Sequence, residues 1–448
     1  MSVEYVKVCP TFGPGFFYIP GSDTCLKVGG NFWAEANWSQ PYQRANNTLG
    51  TRTSLAITLD ARSNTEYGLV RTVVTPQMSY RTVSDNSGSA NREGLNFNGA
   101  NGEGIGASGK QTQFNGVAYV HFGGFTAGHM GSLFDVVPFN ANIGIEGRDQ
   151  RDITNTVAYT LSMGNGVTAT VALEEGTLVN RDGLWSGNDN GPYTAAVPQV
   201  LSNATVGQSP TVTTAAVPAN GTAITYGSNR APDYIGNISA TQAWGTVALS
   251  GAVHTINTSS PVIGTEYGYA GQLATKINLP MLSAGSYLTL SGIYTNGANG
   301  FSLRNRAGDV ASQNTGSFGL GRVAVGLNDI AINTTTNSVY KASVYGLSGE
   351  FGYQITPTVL AFFDAGYSNL SWGTAAQAMS STQLNPAKML TLSAGMHWTP
   401  VKGFRVFPEI GYARVDVKNA TNAGAVTEGA TKKSESAWIG RVQVRRDF

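Results

Sequence analysis

Charge is scarce in this chain, and long apolar runs are missing altogether. Charged residues make up 12% of the 448, about half the ordinary share of roughly 25%. The 28 basic and 27 acidic residues nearly cancel, leaving a formal net charge of +1. A balance this even lacks the basic face that nucleic-acid binding requires, so no nucleic acid is expected as a partner. No run of about eighteen apolar residues occurs, which excludes a transmembrane helix. Membrane strands stay open, because alternating strands carry a much weaker hydropathy pattern. The opening residues, Met1-Ser2-Val3-Glu4, lack the basic start and apolar core of a signal peptide. That fits either a cytosolic chain or a mature form carrying an added Met.

Metal-binding and catalytic side chains are equally thin. Cysteine occurs only at Cys9 and Cys25. A structural zinc wants four ligands and no His lies in the first hundred residues, so no metal is expected there. From the residues alone, two outcomes remain for the pair. One is a disulfide closing a short loop, worth about 3 kcal/mol in an oxidising compartment; the other is two buried thiols. His121, His129, His254 and His397 are dispersed over the chain, no Ser/His/acid spacing emerges, and G-x-S-x-G is absent. No catalytic residue and no enzyme activity are therefore expected. The run Gly104-Ile105-Gly106-Ala107-Ser108-Gly109 fits G-x-G-x-x-G, and through Lys110 nearly fits a phosphate loop. Gln111 stands where Ser or Thr is needed, and the residues after it read as a strand, not a helix, so no nucleotide cofactor is expected.

Glycine is abundant, at 56 residues, and so is period-two alternation. The last twelve residues, A-W-I-G-R-V-Q-V-R-R-D-F, put Trp438, Gly440, Val442, Val444, Arg446 and Phe448 on one parity. Ile439, Arg441, Gln443, Arg445 and Asp447 take the other, so a strand here has one apolar and one charged face. Arg446 ends the apolar face where a long side chain reaches a membrane interface. About ten such residues span a bilayer as a tilted strand. The same grammar begins after Cys25, with Leu26, Val28, Phe32, Ala34, Ala36 and Trp38 on one face, and repeats at 52–62 and 67–75. Gly164-Asn165-Gly166 between alternating runs is a hairpin turn, and further hairpins lie at 235–253, 269–293, 344–367 and 390–415. Short turns alternate with long Gly/Asn/Ser/Thr-rich connections at 78–112, 176–232, 296–340 and 418–435.

Counting the runs gives about sixteen strands. The even number and the short/long asymmetry predict an all-β, transmembrane antiparallel β-barrel with short periplasmic turns and long extracellular loops. Closure leaves no open sheet edge for hydrocarbon to meet. The face opposite the apolar one reads as polar throughout and is expected to line water. Trp38, Trp244, Tyr294, Trp398 and Trp438 fall near strand ends, as interfacial girdles do. Residues 1–25 form a turn-rich lead-in bearing the cysteine pair, and 26–448 a single barrel.

The segments V-K-V-C at 6–9, G-F-F-Y-I-P-G at 15–21 and D-T-C-L-K-V-G-G at 23–30 resemble the amino-terminus of the alphaproteobacterial general porins. Asp60-Ala61-Arg62 with Thr65-Glu66-Tyr67-Gly68 resembles their second-to-third strand turn. Ala118-Tyr119 through Phe122, Gly124-Phe125-Thr126 and 132–135 resemble the approach to their pore-constricting loop. The resemblance implies a sixteen-stranded homotrimer in a bacterial outer membrane, among its lipid and lipopolysaccharide, passing small hydrophilic solutes and ions passively. A substrate-selective channel, for example for sugars, is the alternative, and a barrel enzyme a more remote one. Cys9 and Cys25 are then expected to be bonded and to pin the lead-in near the periplasmic mouth.

The resemblance also implies a third outer loop that folds inward, and residues at about 129–155 fall at that place. They carry a compact set of acids, Asp135, Glu146, Asp149 and Asp152, beside apolar Leu133, Phe134, Val136, Val137 and Phe139. Barrel closure and lumen parity would set a basic arc opposite: Arg441 and Arg445 on the last strand, Lys27 on the first, Arg52 and Arg62 on the second, Arg71 on the third. Arg71 and Arg441 are expected nearest mid-height, with Arg62, Lys27 and Arg445 lower and Arg52 higher. Acids facing bases across water make a transverse field that sets ion preference.

Overall fold

In a computed structural model, residues 7–40, 49–81, 115–140, 153–176, 184–187, 224, 230–302, 317–320, 323–326, 328–379, 384–419 and 433–448 are described. Sixteen strands form the wall: β1 Cys25–Ser39, β2 Leu49–Thr65, β3 Gly68–Arg81, β4 Asn115–Phe122, β5 Phe125–Gly131, β6 Ile153–Gly164, β7 Val167–Glu174 and β8 Asp233–Gln242. The second half comprises β9 Gly245–Asn257, β10 Thr265–Asn278, β11 Tyr287–Asn296, β12 Ser343–Thr356, β13 Val359–Ser371, β14 Ala387–Val401, β15 Phe404–Val417 and β16 Ser434–Asp447. Each pairs antiparallel with its neighbours in sequence, and β16 returns to β1 with Asn31 opposite Asp447 and Ser39 opposite Ile439. The sheet is thus closed. Among the described residues the only α-helix is Thr374–Met379.

Parity decides the two faces. Exposed Val28, Phe32, Trp38, Leu249, Leu273, Leu347, Trp438 and Val442 point outward, and buried Glu35, Asn37, Asn237, Ser250 and Gln272 point inward. The inner polar groups bond across strands, as in Asn237 to Ser250 at 2.6 Å and Gln272 to Ser291 at 2.9 Å. Such pairs satisfy polar side chains that burial in the wall takes away from water. At the turn between β6 and β7, Asn165 takes φ 50° between Gly164 and Gly166 at φ 82° and 73°, the left-handed backbone that Asn-Gly hairpins use.

The inner face is not polar throughout, as the alternation suggested. Val344, Leu370, Met389, Val415 and Ile439 face inward toward the extracellular ends of β12–β16 and are buried in one cluster with Val323, Ala331, Trp372 and Leu384. Outer-loop residues fold over that rim and cover it. On the β8–β9 side a short strand, Ile330–Asn333, pairs with Val339–Lys341 and Leu184–Gly187, and its Ile330 and Ile332 pack on Ile256. Buried His254 ties this loop to the wall, with Nδ1 2.6 Å from Asp233 and Nε2 3.7 Å from Asp329.

At the opposite end the lead-in continues the sheet beneath the carboxy-terminus. Phe448 exchanges two backbone hydrogen bonds with Gly30, each 3.0 Å. Below it a short strand, Phe16–Tyr18, pairs with β1, placing Phe16 opposite Lys27 and Tyr18 opposite Cys25. Cys9 and Cys25 are bonded, with Cα atoms 6.1 Å apart, which resolves the two outcomes in favour of the disulfide.

Candidate functional site

After β5 the chain turns into the barrel. Segment 132–140 lies against the inner wall because the strands leave room for it: Ala158, Ala172, Ala252 and Ala270 face inward beneath Leu133 and Phe134. Ala248 and Ala274 do the same beneath Val136 and Val137. Phe134 is fully buried and meets Phe301 from the sixth outer loop with ring centroids 4.8 Å apart. Burying a ring of this size stabilises the inward course by roughly 2–3 kcal/mol.

Two carboxylates clasp the segment. Glu174, the last residue of β7, accepts the Ser132 hydroxyl at 2.9 Å and the Leu133 N–H at 2.7 Å. Glu350 on β12 accepts the Asn140 N–H at 2.6 Å and the Asn140 side-chain amide at 3.2 Å. Tyr287 on β11 donates its hydroxyl to Glu350 at 2.7 Å and accepts from the Asn140 amide. Lys276 lies 4.2 Å over the Tyr287 ring. Charge-assisted hydrogen bonds of this kind contribute about 1.5–3 kcal/mol each, so the crossing segment is held at both ends.

The basic residues named from parity all point inward, on β16, β1, β2 and β3, diametrically across the ring from the strands under the segment. They do not stand bare. Asp60 takes both Arg62, at 3.0 and 2.7 Å, and Arg71, at 3.1 and 2.9 Å. Arg441 donates to the buried Glu35, which Gln443 also reaches at 3.1 Å. Arg445 donates to Asp447 at 2.7 Å. Arg52 lies opposite Glu35 and stacks 4.5 Å over Trp33. The six cations are thus interleaved with three carboxylates.

Arg71 does not lie at mid-height. It sits directly opposite Arg62, which is opposite Cys25 at the foot of β1, so all three share the lower tier with Lys27. The turn Thr65–Gly68 fixes this, because Arg71 comes only three residues after it. Arg441, midway along β16, is where expected, and Arg52 is near the outer end of β2.

Of the four acids named on the inward segment, Asp135 is only 1% exposed. It is packed into the wall rather than turned to open water, because its neighbours Phe134 and Val137 seat the backbone against the strands. Glu146, Asp149 and Asp152 lie outside the described residues. Reading the loop alone missed acids of the wall: Glu350 on β12 directly opposite Asp364 on β13, both fully buried, and Glu409 on β15 beside the basic arc, opposite Arg441 of β16. Lumen parity marks all three in the sequence. It also marks Arg405, opposite Arg445, as a further basic residue of the lower lumen. Among the described residues no group of His, Cys, Asp and Glu has the geometry to hold a metal ion.

Against known proteins, the chain resembles porin Omp2b of Brucella canis, 30% identical over 210 residues covering 45% of this chain and 52% of that protein. Porin Omp2a of Brucella ovis is 31% identical over 186 residues, 39% of this chain and 51% of that one. The chain thus spans about half the length of the curated relatives it matches. The outer membrane channel DcaP of Acinetobacter baumannii superposes with a TM-score of 0.60 over 96% of this chain and 99% of that one, at 13% identity, a likeness of fold alone. A family model described as "Porin subfamily" matches residues 1–441. With nearly the whole chain matched, this protein belongs to the porin subfamily.

Proposed function

We propose that the protein is a passive, water-filled channel of a bacterial outer membrane, passing small hydrophilic solutes and ions. The observation that carries this reading is the inward segment 132–140, clasped at Glu174 and Glu350 across from a basic arc. A barrel with an apolar exterior suits lipid, a polar interior suits water, and a segment held against the inner wall narrows the path. Selectivity arises where the path is narrow, because bases on one side and acids on the other orient dipolar solutes and favour one ion sign. The homotrimer and contacts with lipid and lipopolysaccharide belong to the same proposal. The apolar exterior around β1 and β16 supports the first, since Trp38, Gly440 and Val442 form a shallow outward concavity there.

Planar-bilayer recording tests the reading. Large, nearly ohmic single-channel steps unaffected by added sugars are expected. Solute-dependent block would favour a substrate-selective channel, and absence of conductance would sink both.

A further inference from the structure

The lead-in touches the charges of the lower lumen. Residues 7–9, 16–18 and 25–27 form a small three-stranded arrangement: the Cys9 N–H donates to Phe16 O at 2.9 Å, the Tyr18 N–H donates to Lys7 O at 2.8 Å, and Phe16 pairs with Lys27. The Cys9–Cys25 bond joins its outer members. Both sulfurs are buried with Phe16, which is 4% exposed, and Phe12 and Tyr18 pack beside them. The Phe16 ring carries two of the six arc cations. The Arg62 guanidinium lies 4.8 Å from its centroid and the Lys27 ammonium 5.8 Å. Phe12 adds a second contact to Arg62 at 5.9 Å. The lead-in is also tied to β2 by Thr24 and Ser63, 2.9 Å apart.

Asp60 fixes the edge of Arg62, but Arg71 competes for the same two oxygens. The aromatic ring fixes the face. A cation within about 6 Å of a ring is attracted to it, and more strongly where water is excluded. A guanidinium backed by a buried ring also projects its field into the channel, with low-dielectric material rather than water behind it.

We propose that the disulfide-closed lead-in is a selectivity collar. In it, Phe16 is a positioning residue that holds Arg62 and Lys27 toward the lower channel and so raises its preference for anions. This rests on the channel reading above and adds to it a determinant outside the inward segment.

The test is the zero-current potential of full-length protein in planar bilayers under a salt gradient. Arg62→Gln lowers the anion-to-cation permeability ratio. Phe16→Leu, which keeps the apolar volume and removes the ring, lowers it by about twofold, the fold-change at the low end of cation–ring attraction. Phe16→Trp restores the ratio, which a purely structural role for the side chain does not predict. Adding Phe16→Leu to Arg62→Gln lowers the ratio further only by the Lys27 share, because no Arg62 charge is left for the ring to hold. A heat-shifted band on a denaturing gel checks that each variant forms its barrel. If Phe16→Leu fails that check, Cys9→Ser with Cys25→Ser carries the test, because it frees the collar while keeping every ring and cation, and the same fall is expected. A ratio unchanged in Phe16→Leu while Arg62→Gln lowers it overturns the collar. A ratio unchanged in Arg62→Gln overturns it too, by removing Arg62 from the ion path, yet leaves the channel reading standing. Only a wild-type protein without conductance overturns both.

Discussion

Single side chains set what the lumen does, and burial separates their roles. Glu350 makes three hydrogen bonds to Asn140 and Tyr287 while fully buried. Glu350→Ala therefore removes the far clasp of segment 132–140 and leaves three donors, the Asn140 N–H, the Asn140 amide and the Tyr287 hydroxyl, without this acceptor, at a cost of about 1–3 kcal/mol per stranded group. The expected result is a larger and noisier single-channel conductance, with Glu174→Ala giving the same at the near clasp; conductance equal to wild type in both would show that other contacts hold the segment. Charge reversal reads the arc. Arg71→Glu with Arg441→Glu is expected to shift permeability toward cations, and Glu146, Asp149 and Asp152 changed to Gln or Asn toward anions. Asp135→Asn by itself is expected to move the zero-current potential less than the other three together, because Asp135 is sealed into the wall. The same measurement in stronger salt adds a physical check. The Debye length falls from about 10 Å at 0.1 M to about 3 Å at 1 M, so ion preference carried by these fixed charges is expected to shrink over that range.

Elements inherit their positions from turns and from one covalent tie. The disulfide closes a loop with a sequence separation of 16 and is worth about 3 kcal/mol by chain-entropy reasoning. Thiol labelling in denaturant is expected to modify no cysteine without reductant and both after reduction; modification of both beforehand would contradict the bond. Strand outer faces respond differently from inner ones. Leu347, 62% exposed near the middle of β12, meets hydrocarbon in the membrane. Leu347→Arg is expected to destabilise the barrel by about 2–4 kcal/mol, the depth-dependent cost of a midplane charge. Thr160→Arg on the inner face of β6 is expected to change conductance with little effect on stability, since water solvates it. Unfolding titrations in lipid vesicles distinguish the two.

The whole molecule behaves as one closed sheet, in which no strand can leave without opening two ladders. Unfolding is expected to be slow as a result, so the unheated barrel monomer is expected to migrate faster than boiled protein on a denaturing gel, and the protein in mild detergent is expected to be a trimer. A monodisperse monomer in several detergents would count against the oligomer and not against the barrel. Closure also creates the functional geometry. It places β16 against β1 and so gathers Arg441, Arg445, Lys27, Arg52, Arg62 and Arg71 from both ends of the chain onto one side of the lumen.

What the sequence determined by itself is what neighbours two apart encode. Trp438, Val442 and Val444 outward against Arg441, Gln443 and Arg445 inward is a local pattern, and repeating it sixteen times with alternating turn lengths specifies the barrel, its two faces and the membership of the arc. The cysteine pair stands close in sequence and beside the start of β1, which allowed a disulfide but left two buried thiols open until the fold showed the bond. The tertiary structure alone decided which partners those faces meet. Asn140 reaches Glu350 across 210 residues of sequence, and Glu35 meets Arg441 across 406; no local pattern encodes such distances. Register across the turn at Thr65 and Gly68 dropped Arg71 to the level of Arg62. Packing of Phe134 on inward alanines turned Asp135 into the wall, and outer loops covering Val344, Met389 and Val415 made part of an inner face apolar. Each of these depends on where the closed sheet brings distant segments together, and closure is a property of the whole chain.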